Sequence, residues 1–192
     1  EIVMEYQKKD ERIKYLWEEN SGGPAKPYNL ALKQCGGEYI AFLDHDDMWL
    51  PEKLEKQIDF IEKEKIVGGS CLAFKYDLLK NKLLGICGAG FSGFIGKKIL
   101  YKFIYPLDET LSGIEDGEFS IKIEIAKMNK KINENDFKLL EEPLLLYTRH
   151  SESLSFGRQN NLVFIERYTK LLQKYAFLEN ENNLTPTLKD IL

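Results

Sequence analysis

The stretch "GEYIAFLDHDDMWLPEKL" (residues 37–54) constrains the fold of this chain most strongly. Residues 39–43 are all apolar or aromatic, and they lead directly into Asp-His-Asp-Asp at 44–47. Such a run predicts a strand that is buried on both faces, like a central strand of a covered sheet. Three carboxylates within four residues repel one another and are costly to remove from water. A reason is therefore needed for placing them where the strand ends.

The flanking patterns predict strands that alternate with helices. "RIKYLWEE" (12–19) alternates like a strand, and "PYNLALKQC" (27–35) fits a short helix that ends at two glycines. A second helix is predicted to open at Pro51, and "IVGGSCLAF" (66–74) to form another strand. This order predicts an α/β fold with a mainly parallel central sheet flanked by helices.

The second half of the chain is less regular. The glycine-rich residues 83–96 predict no clear element. "FSIKIEIAKM" (119–128) fits a strand or a helix, and the helix is favoured because two carboxylates precede it, as suits a helix N-terminus. "FKLLEEPLLLYTRH" (137–150) predicts a strand, a proline break and a second strand. An amphipathic helix is predicted over about residues 160–175, followed by a loosely ordered tail.

Composition narrows the function classes. The net charge of −4 and the lack of a basic stripe with interleaved aromatic residues argue against nucleic-acid binding. The three cysteines show no metal-ligand spacing, which predicts reduced packing cysteines and a cytoplasmic protein. No apolar run approaches the roughly 20 residues that span a bilayer.

A divalent cation would resolve the repulsion within the acidic cluster. Ligands bind at the carboxyl ends of strands in open α/β sheets. Mg²⁺ or Mn²⁺ takes oxygen ligands from one or two carboxylates and from substrate phosphates. Asp44, Asp46 and Asp47 therefore favour a metal–diphosphate site, with His45 facing solvent. The alternative is a solvated turn in which an aspartate caps the helix at Pro51.

These residues carry a family resemblance. The block "NSGGPAKPYNLALKQCGGEYIAFLDHDDMWLPEKLEKQI" (20–58) resembles the central part of the family 2 nucleotide-sugar glycosyltransferases, which have the GT-A fold. "FIYPLDETLSGIEDGEFSIKI" (103–123) and "EPLLLYTRHSESLS" (142–155) resemble the acceptor-side and closing segments of that family. The resemblance implies a GT-A domain over residues 1–157 that lacks the family's first strand, helix and second strand. Residues 158–192 would form a C-terminal helical extension and tail.

The resemblance also implies a reaction. A sugar would pass with inversion from a nucleotide diphosphate to a hydroxyl acceptor, such as a cell-surface glycan or a lipid-linked saccharide, assisted by Mn²⁺ or Mg²⁺. Asp116 would be the general base and Glu115 its partner, while Asp46 and Asp47 would be metal ligands. The implied nucleotide-sugar contacts are Asn20, Gly22, Lys26, Asn29, Asp44, Asp46, Arg149 and His150.

Other interpretations stay open at this point. Lys26 also fits an ordinary loop lysine, and Glu115 with Asp116 fits a carboxylate pair favoured by a helix dipole. The chain as a whole could be a non-catalytic nucleotide-sugar-binding module or an inactive fragment. A haloacid-dehalogenase-type phosphotransferase is disfavoured, because Met48 follows the cluster where a Thr or Val is expected. The predicted C-terminal helix suits packing or a homodimer, and weak peripheral association at the inner membrane face stays open.

Overall fold

The computed structural model describes residues 2–111, 113–150 and 162–180. The described helices are α1 (Ile2–Lys9), α2 (Ala25–Gln34), α3 (Lys53–Glu64), α4 (Lys98–Ile104), α5 (Glu115–Met128) and α6 (Leu162–Tyr175). The described strands are β1 (Tyr39–Ala41), β2 (Met48–Trp49), β3 (Gly68–Asp77), β4 (Lys82–Gly88), β5 (Ile95–Lys97) and β6 (Phe137–Arg149). Short 3₁₀ turns lie at Gly90–Gly93, Glu109–Leu111 and Ala176–Asn180.

The strands form one mixed sheet in the order β1-β5-β3-β6-β2, with β4 beside β3. β1, β3 and β6 run in one direction, since β1 and β3 are each antiparallel to β5 and β3 is parallel to β6. Helices lie between these three strands in the chain, as parallel connections require. β2, β4 and β5 run the other way. The α/β class is therefore confirmed, but the prediction of a mainly parallel sheet is wrong for the described strands, because short return strands fill half of it.

The predicted helices over residues 27–35, after Pro51 and over 119–128 are confirmed as α2, α3 and α5. The predicted strand at 12–19 is wrong: these residues have no ladder partner among the described strands, and the Trp17 side chain is 74% exposed. The predicted central strand at 39–43 is only three residues long and lies at one end of the described sheet.

The glycine-rich segment holds elements that the pattern did not predict, namely β4, a 3₁₀ turn and β5. Close backbone packing explains the small residues nearby. A Cβ on Gly69 would lie 2.6 Å from the carbonyl oxygen of Lys138 in the neighbouring strand, so only glycine fits there. β6 continues through Pro143 as one strand, with an irregular register against β3 where a break was predicted.

An aromatic core holds the site-bearing segments together. Phe91, in the turn after β4, contacts Phe42 after β1 and Phe119 on α5, with ring centroids 4.9 and 5.1 Å apart. Phe94 stacks on Phe119 at 4.5 Å. Because such rings bury large apolar areas, the acidic turn and the start of α5 are fixed relative to one another.

α6 packs on α5 through a second core that includes Ile121, Leu171 and Tyr175. This confirms the predicted amphipathic helix as a packing element, whereas a homodimer role stays a prediction. None of the described helices is long and apolar enough to cross a membrane. The predicted domain boundary at 157–158 and most of the predicted tail lie outside the described residues.

Candidate active site

The acidic turn is built by hydrogen bonds from neutral groups. The backbone N–H of Asp47 donates to the carbonyl oxygen of Asp44 at 3.2 Å, which closes the turn after β1. The hydroxyl of Tyr28 donates to the Asp44 carboxylate, and the Asp44 N–H donates to the Ser92 hydroxyl at 2.9 Å. Burial raises the pKa of Asp44, and the negative charge of Asp46 adds to this, against the lowering effect of the Tyr28 hydrogen bond.

Asp47 lies beneath the turn and is only 7% exposed. Its Oδ1 accepts a hydrogen bond from the Thr148 N–H at 3.2 Å, while its Oδ2 is buried without a partner among the described residues. Burial raises its pKa to about 6, and the charges of Asp44 and Asp46 also raise it. An unpartnered buried carboxylate oxygen is costly, so this atom is suited to receive a cation.

Asp46 is tied to the end of β6. Its Oδ2 lies 3.2 Å from His150 Nε2, and Thr148 Oγ1 donates to its backbone carbonyl. His45 Nδ1 is 4.0 Å from Oδ1 of the same carboxylate, but the His45 side chain is 91% exposed, so its predicted solvent-facing position is confirmed. The closing segment of the resemblance thus meets the acidic cluster in space.

The second pair of carboxylates begins α5, as predicted. Glu115 is 8% exposed and accepts a hydrogen bond from the Gly113 N–H. Burial raises its pKa to about 7, with further contributions from the charges of Asp116 and Asp44. Asp116 Oδ1 accepts the Gly117 N–H at 2.9 Å. A carboxyl group that titrates near neutral pH beside a cavity is suited to proton transfer.

One cavity of about 670 Å³ collects most of these groups, a volume within the usual range for small-molecule sites. The predicted site residues that line it are Asn20, Gly22, Asp44, Asp46, Glu115, Asp116 and His150. A second cavity of about 300 Å³ lies between α5, α6 and the turn after β4. Asp116 and Gly90 line both cavities, so Asp116 stands at the boundary between them.

Four predicted residues do not line the larger cavity. The Asn29 side chain donates to the Leu107 carbonyl and accepts from the Leu107 N–H, both at 2.8 Å, so it has a structural role, and its nucleotide contact stays a prediction. Lys26, in the first turn of α2, pairs through Nζ with Glu18 at 2.6 Å, and its nucleotide contact stays a prediction. Arg149 lies opposite Asp77 at the end of β6. The fourth is Asp47, beneath the turn.

Sequence reasoning missed several cavity residues. Lys75 on β3 and Tyr147 on β6 are register partners, so both side chains reach the same face of the sheet and line the cavity. The buried Ser92 and the half-buried Tyr28, which both hydrogen-bond Asp44, were also missed. Only the strand register would have identified Lys75 and Tyr147 as cavity residues, and one sequence does not reveal the register.

The donor set fits a cation only in part. Within the described ranges, no group of three or more His, Cys, Asp or Glu side chains is arranged to hold a metal ion. Mg²⁺ and Mn²⁺ need only one or two protein carboxylates, because water and substrate oxygens complete their coordination. Asp46 and the unpartnered Oδ2 of Asp47 fit this requirement. The site therefore suits a cation that arrives with a diphosphate, not one held in a closed protein cage.

Comparison with solved structures identifies the class of fold. The chain superposes on a crystal structure of Staphylococcus aureus TarS, residues 1–349, in complex with UDP-GlcNAc, with a TM-score of 0.66 and 24% identity. The match covers 95% of this chain and 54% of that one. The predicted GT-A type of fold is thereby confirmed.

Sequence comparison then gives the family. The family model "Glycosyl transferase family 2" matches residues 1–114, more than half of the chain, so this chain belongs to glycosyl transferase family 2. The Escherichia coli UDP-Glc:alpha-D-GlcNAc-diphosphoundecaprenol beta-1,3-glucosyltransferase WfgD is 30% identical over 72% of this chain and 64% of its own length. The Staphylococcus aureus poly(ribitol-phosphate) beta-N-acetylglucosaminyltransferase TarS is 37% identical over 47% of this chain and 14% of its own length. The chain thus spans less than two thirds of the length of these relatives. Its membership of this family excludes the haloacid-dehalogenase-type phosphotransferase.

Proposed function

We propose that this chain transfers a sugar, with inversion, from a nucleotide diphosphate to a hydroxyl group of a saccharide or lipid-linked acceptor. One observation carries the proposal: Asp44 and Asp46 of the acidic cluster line the same cavity as the Glu115–Asp116 pair. A donor's diphosphate needs a cation, which the acidic cluster would hold. The acceptor's proton needs a base, which the Glu115–Asp116 pair would supply. The relatives WfgD and TarS, a glucosyltransferase and an N-acetylglucosaminyltransferase, agree with this choice.

Asp46 and Asp47 are the residues that would hold Mg²⁺ or Mn²⁺. When bound, the cation neutralises the negative charge that develops on the diphosphate leaving group. Asp44 is kept in place by Tyr28 and Ser92 and contacts the nucleotide part of the donor. His150, 3.2 Å from Asp46, lies at the same wall and orients that carboxylate.

Asp116 would act as the general base. The acceptor oxygen forms a bond to the anomeric carbon while the bond from that carbon to the diphosphate oxygen breaks, and the electron pair leaves with the diphosphate. The hydroxyl proton passes to the Asp116 carboxylate. Since Asp116 borders both cavities, an acceptor in the smaller one would lie beside this carboxylate.

Glu115 has a supporting role in this scheme. Its pKa of about 7 means that it is partly protonated at neutral pH, which limits repulsion between neighbouring carboxylates. Its bond from the Gly113 N–H fixes the loop that leads into α5. The weak membrane association left open by the sequence fits a lipid-linked acceptor, the type named for WfgD.

The test is hydrolysis and transfer with a panel of UDP-, GDP- and dTDP-sugars in the full-length protein, with Mg²⁺, Mn²⁺ or EDTA. We expect metal-dependent release of nucleotide from one donor, abolished in Asp47→Ala and retained in the control Asp59→Ala on the exposed face of α3. Donor binding without turnover would favour the non-catalytic binding module. Neither binding nor turnover with any donor would overturn the proposal.

A further inference from the structure

The hairpin formed by the end of β3 and by β4 exposes an unusual amount of apolar surface. Five of the nine residues from 78 to 86 are Leu or Ile side chains with 42–68% exposure. Exposed apolar residues on soluble proteins are usually scattered, and a contiguous group marks an interaction surface. These residues are Leu78, Leu79, Leu83, Leu84 and Ile86, here called the hairpin surface.

Hydrogen bonds hold the hairpin in a defined shape. β3 and β4 pair from Leu72 to Asp77, with a bulge after Lys75. The Lys80 N–H donates to Asp77 Oδ1 at 3.0 Å, and the Tyr76 hydroxyl donates to Asn81 in the turn. The exposure of the leucines therefore belongs to an ordered element and not to a frayed loop.

The apolar surface continues across the sheet, on the face opposite the cavity. Ile86 pairs with Phe74, Phe74 with Leu146, and Leu146 with Met48, so these four side chains form one row over four strands. Met48 and Ile86, at the two ends of the row, are each 57% exposed. The cavity residue Lys75 lies on the other face. The hairpin surface therefore extends into a wider apolar strip.

Positive charge surrounds this surface, although the chain as a whole carries a net charge of −4. Residues 78–86 contain two lysines, at 80 and 82, and no carboxylate, while Lys80 Nζ lies 3.9 Å from Asp77 Oδ2 at the end of β3. Arg149 lies opposite Asp77 in the register with β6. A second copy of the chain across a two-fold axis would bring these cations together, which disfavours it as the occupant. An anionic surface complements them.

We propose that the hairpin surface docks on an anionic lipid bilayer. The leucines would enter the boundary between headgroups and acyl chains, while Lys80 and Lys82 would contact lipid phosphates. The base of the hairpin, at Lys75, Cys87 and Gly88, lines the larger cavity. The inference rests on the surface itself, so its test is independent of sugar transfer.

The test is flotation of the purified full-length protein with phosphatidylglycerol or phosphatidylcholine vesicles. We expect binding to phosphatidylglycerol that weakens between about 0.1 M and about 0.5 M NaCl, as screening predicts. Leu79→Glu and Leu83→Glu should each weaken binding by about tenfold or more. The matched control is Leu54→Glu, which changes an exposed leucine on α3 that is remote from the hairpin in sequence.

A second set of variants tests the charges. Lys80→Gln combined with Lys82→Gln should weaken binding by about 25-fold, since each basic residue near an anionic surface contributes roughly fivefold. The control, Lys33→Gln combined with Lys63→Gln, removes the same charge from α2 and α3 and should leave binding unchanged. Equal binding by hairpin and control variants would overturn the proposal, as would no binding to phosphatidylglycerol. A shift from dimer to monomer in Leu79→Glu would do the same, by showing that a second copy occupies the surface.

Discussion

Glu118 and Glu115 are buried carboxylates one turn apart on α5, yet their surroundings are opposite. Glu118 is completely buried and accepts from Lys174 Nζ at 2.8 Å, with Lys122 Nζ at 3.3 Å. Glu115 faces the cavity, and its charged neighbours are Asp116 and Asp44. No lysine or arginine in the described part of the chain forms an ion pair with Glu115.

The presence or absence of cationic neighbours distinguishes the structural carboxylate Glu118 from the carboxylates at the candidate site. Where α6 must be fixed to α5, the fold supplies cations, because an uncompensated buried charge is costly. At the cavity and beneath its acidic turn, Asp44, Asp47 and Glu115 have no lysine or arginine ion pair among the described residues, and the pKa of each is raised. Such local inconsistency is typical of functional sites. The four predictions below test this contrast, from the largest expected effect to the smallest.

Replacing the proposed base should have the largest effect. We expect Asp116→Asn to lower kcat by about a thousandfold, because general base catalysis contributes roughly 10²–10⁴. Donor affinity, measured by calorimetry with the donor that the panel identifies, should stay within about twofold, since the base acts on the acceptor. Glu115→Gln should cost clearly less. A larger loss for Glu115→Gln would transfer the role of base to Glu115.

Removing the structural carboxylate should affect stability instead. Glu118→Ala leaves the Asp108 N–H without its acceptor and removes one of the two carboxylates that pair with Lys174, so we expect the free energy of unfolding to fall by about 3 kcal/mol. Urea unfolding of the variant measures this change. The control is Glu64→Ala, which breaks an exposed pair with Lys138 and should leave the midpoint unchanged. If Glu118→Ala and Glu64→Ala lowered the free energy of unfolding equally, the buried ion pair would contribute no more to stability than the exposed one.

The sequence predicted the local elements better than their arrangement. α2, α3 and α5 follow from their apolar spacing and from the proline, glycine and acidic residues at their ends. The strand predicted at 12–19 failed because alternation gives a propensity, whereas a strand also needs a neighbour to complete its hydrogen bonds. The return strand β5 was missed because glycines that allow close backbone packing look like a loop in sequence.

The candidate site shows the same limit. The acidic cluster and Glu115–Asp116 were found because carboxylates stand out next to apolar runs and a matching family pattern. That they share one cavity depends on the sheet order, which brings the ends of β1 and β6 to the start of α5. Asn29 matched the family pattern as well, but its amide is used to hold Leu107. A residue pattern alone does not separate these two outcomes.

A pH series should sharpen the contrast at Glu115. Its pKa rises from the ordinary 4.5 to about 7 on folding, so the folded state holds this proton more tightly than the unfolded state. The free energy of unfolding should therefore fall as pH rises from about 4.5 to about 7. Glu115→Gln removes the titration and should be about 2 kcal/mol more stable than the wild type at pH 8. Urea unfolding at pH 5 and 8 measures this advantage, which should shrink at pH 5; a constant difference would contradict it.

Asp47 gives the smallest effect and the sharpest separation of stability from function. Asp47→Asn removes a carboxylate whose pKa is raised by burial and whose Oδ2 has no partner among the described residues. In EDTA at pH 8 we expect a gain of about 1 kcal/mol in the free energy of unfolding. Excess Mn²⁺ with the donor should stabilise the wild type by ligand linkage and the variant far less. A variant that is less stable in EDTA would place Asp47 with Glu118 among the structural carboxylates. A stabilised variant without metal-dependent turnover would show that Asp47 lowers the stability of the fold and is needed for metal-dependent activity.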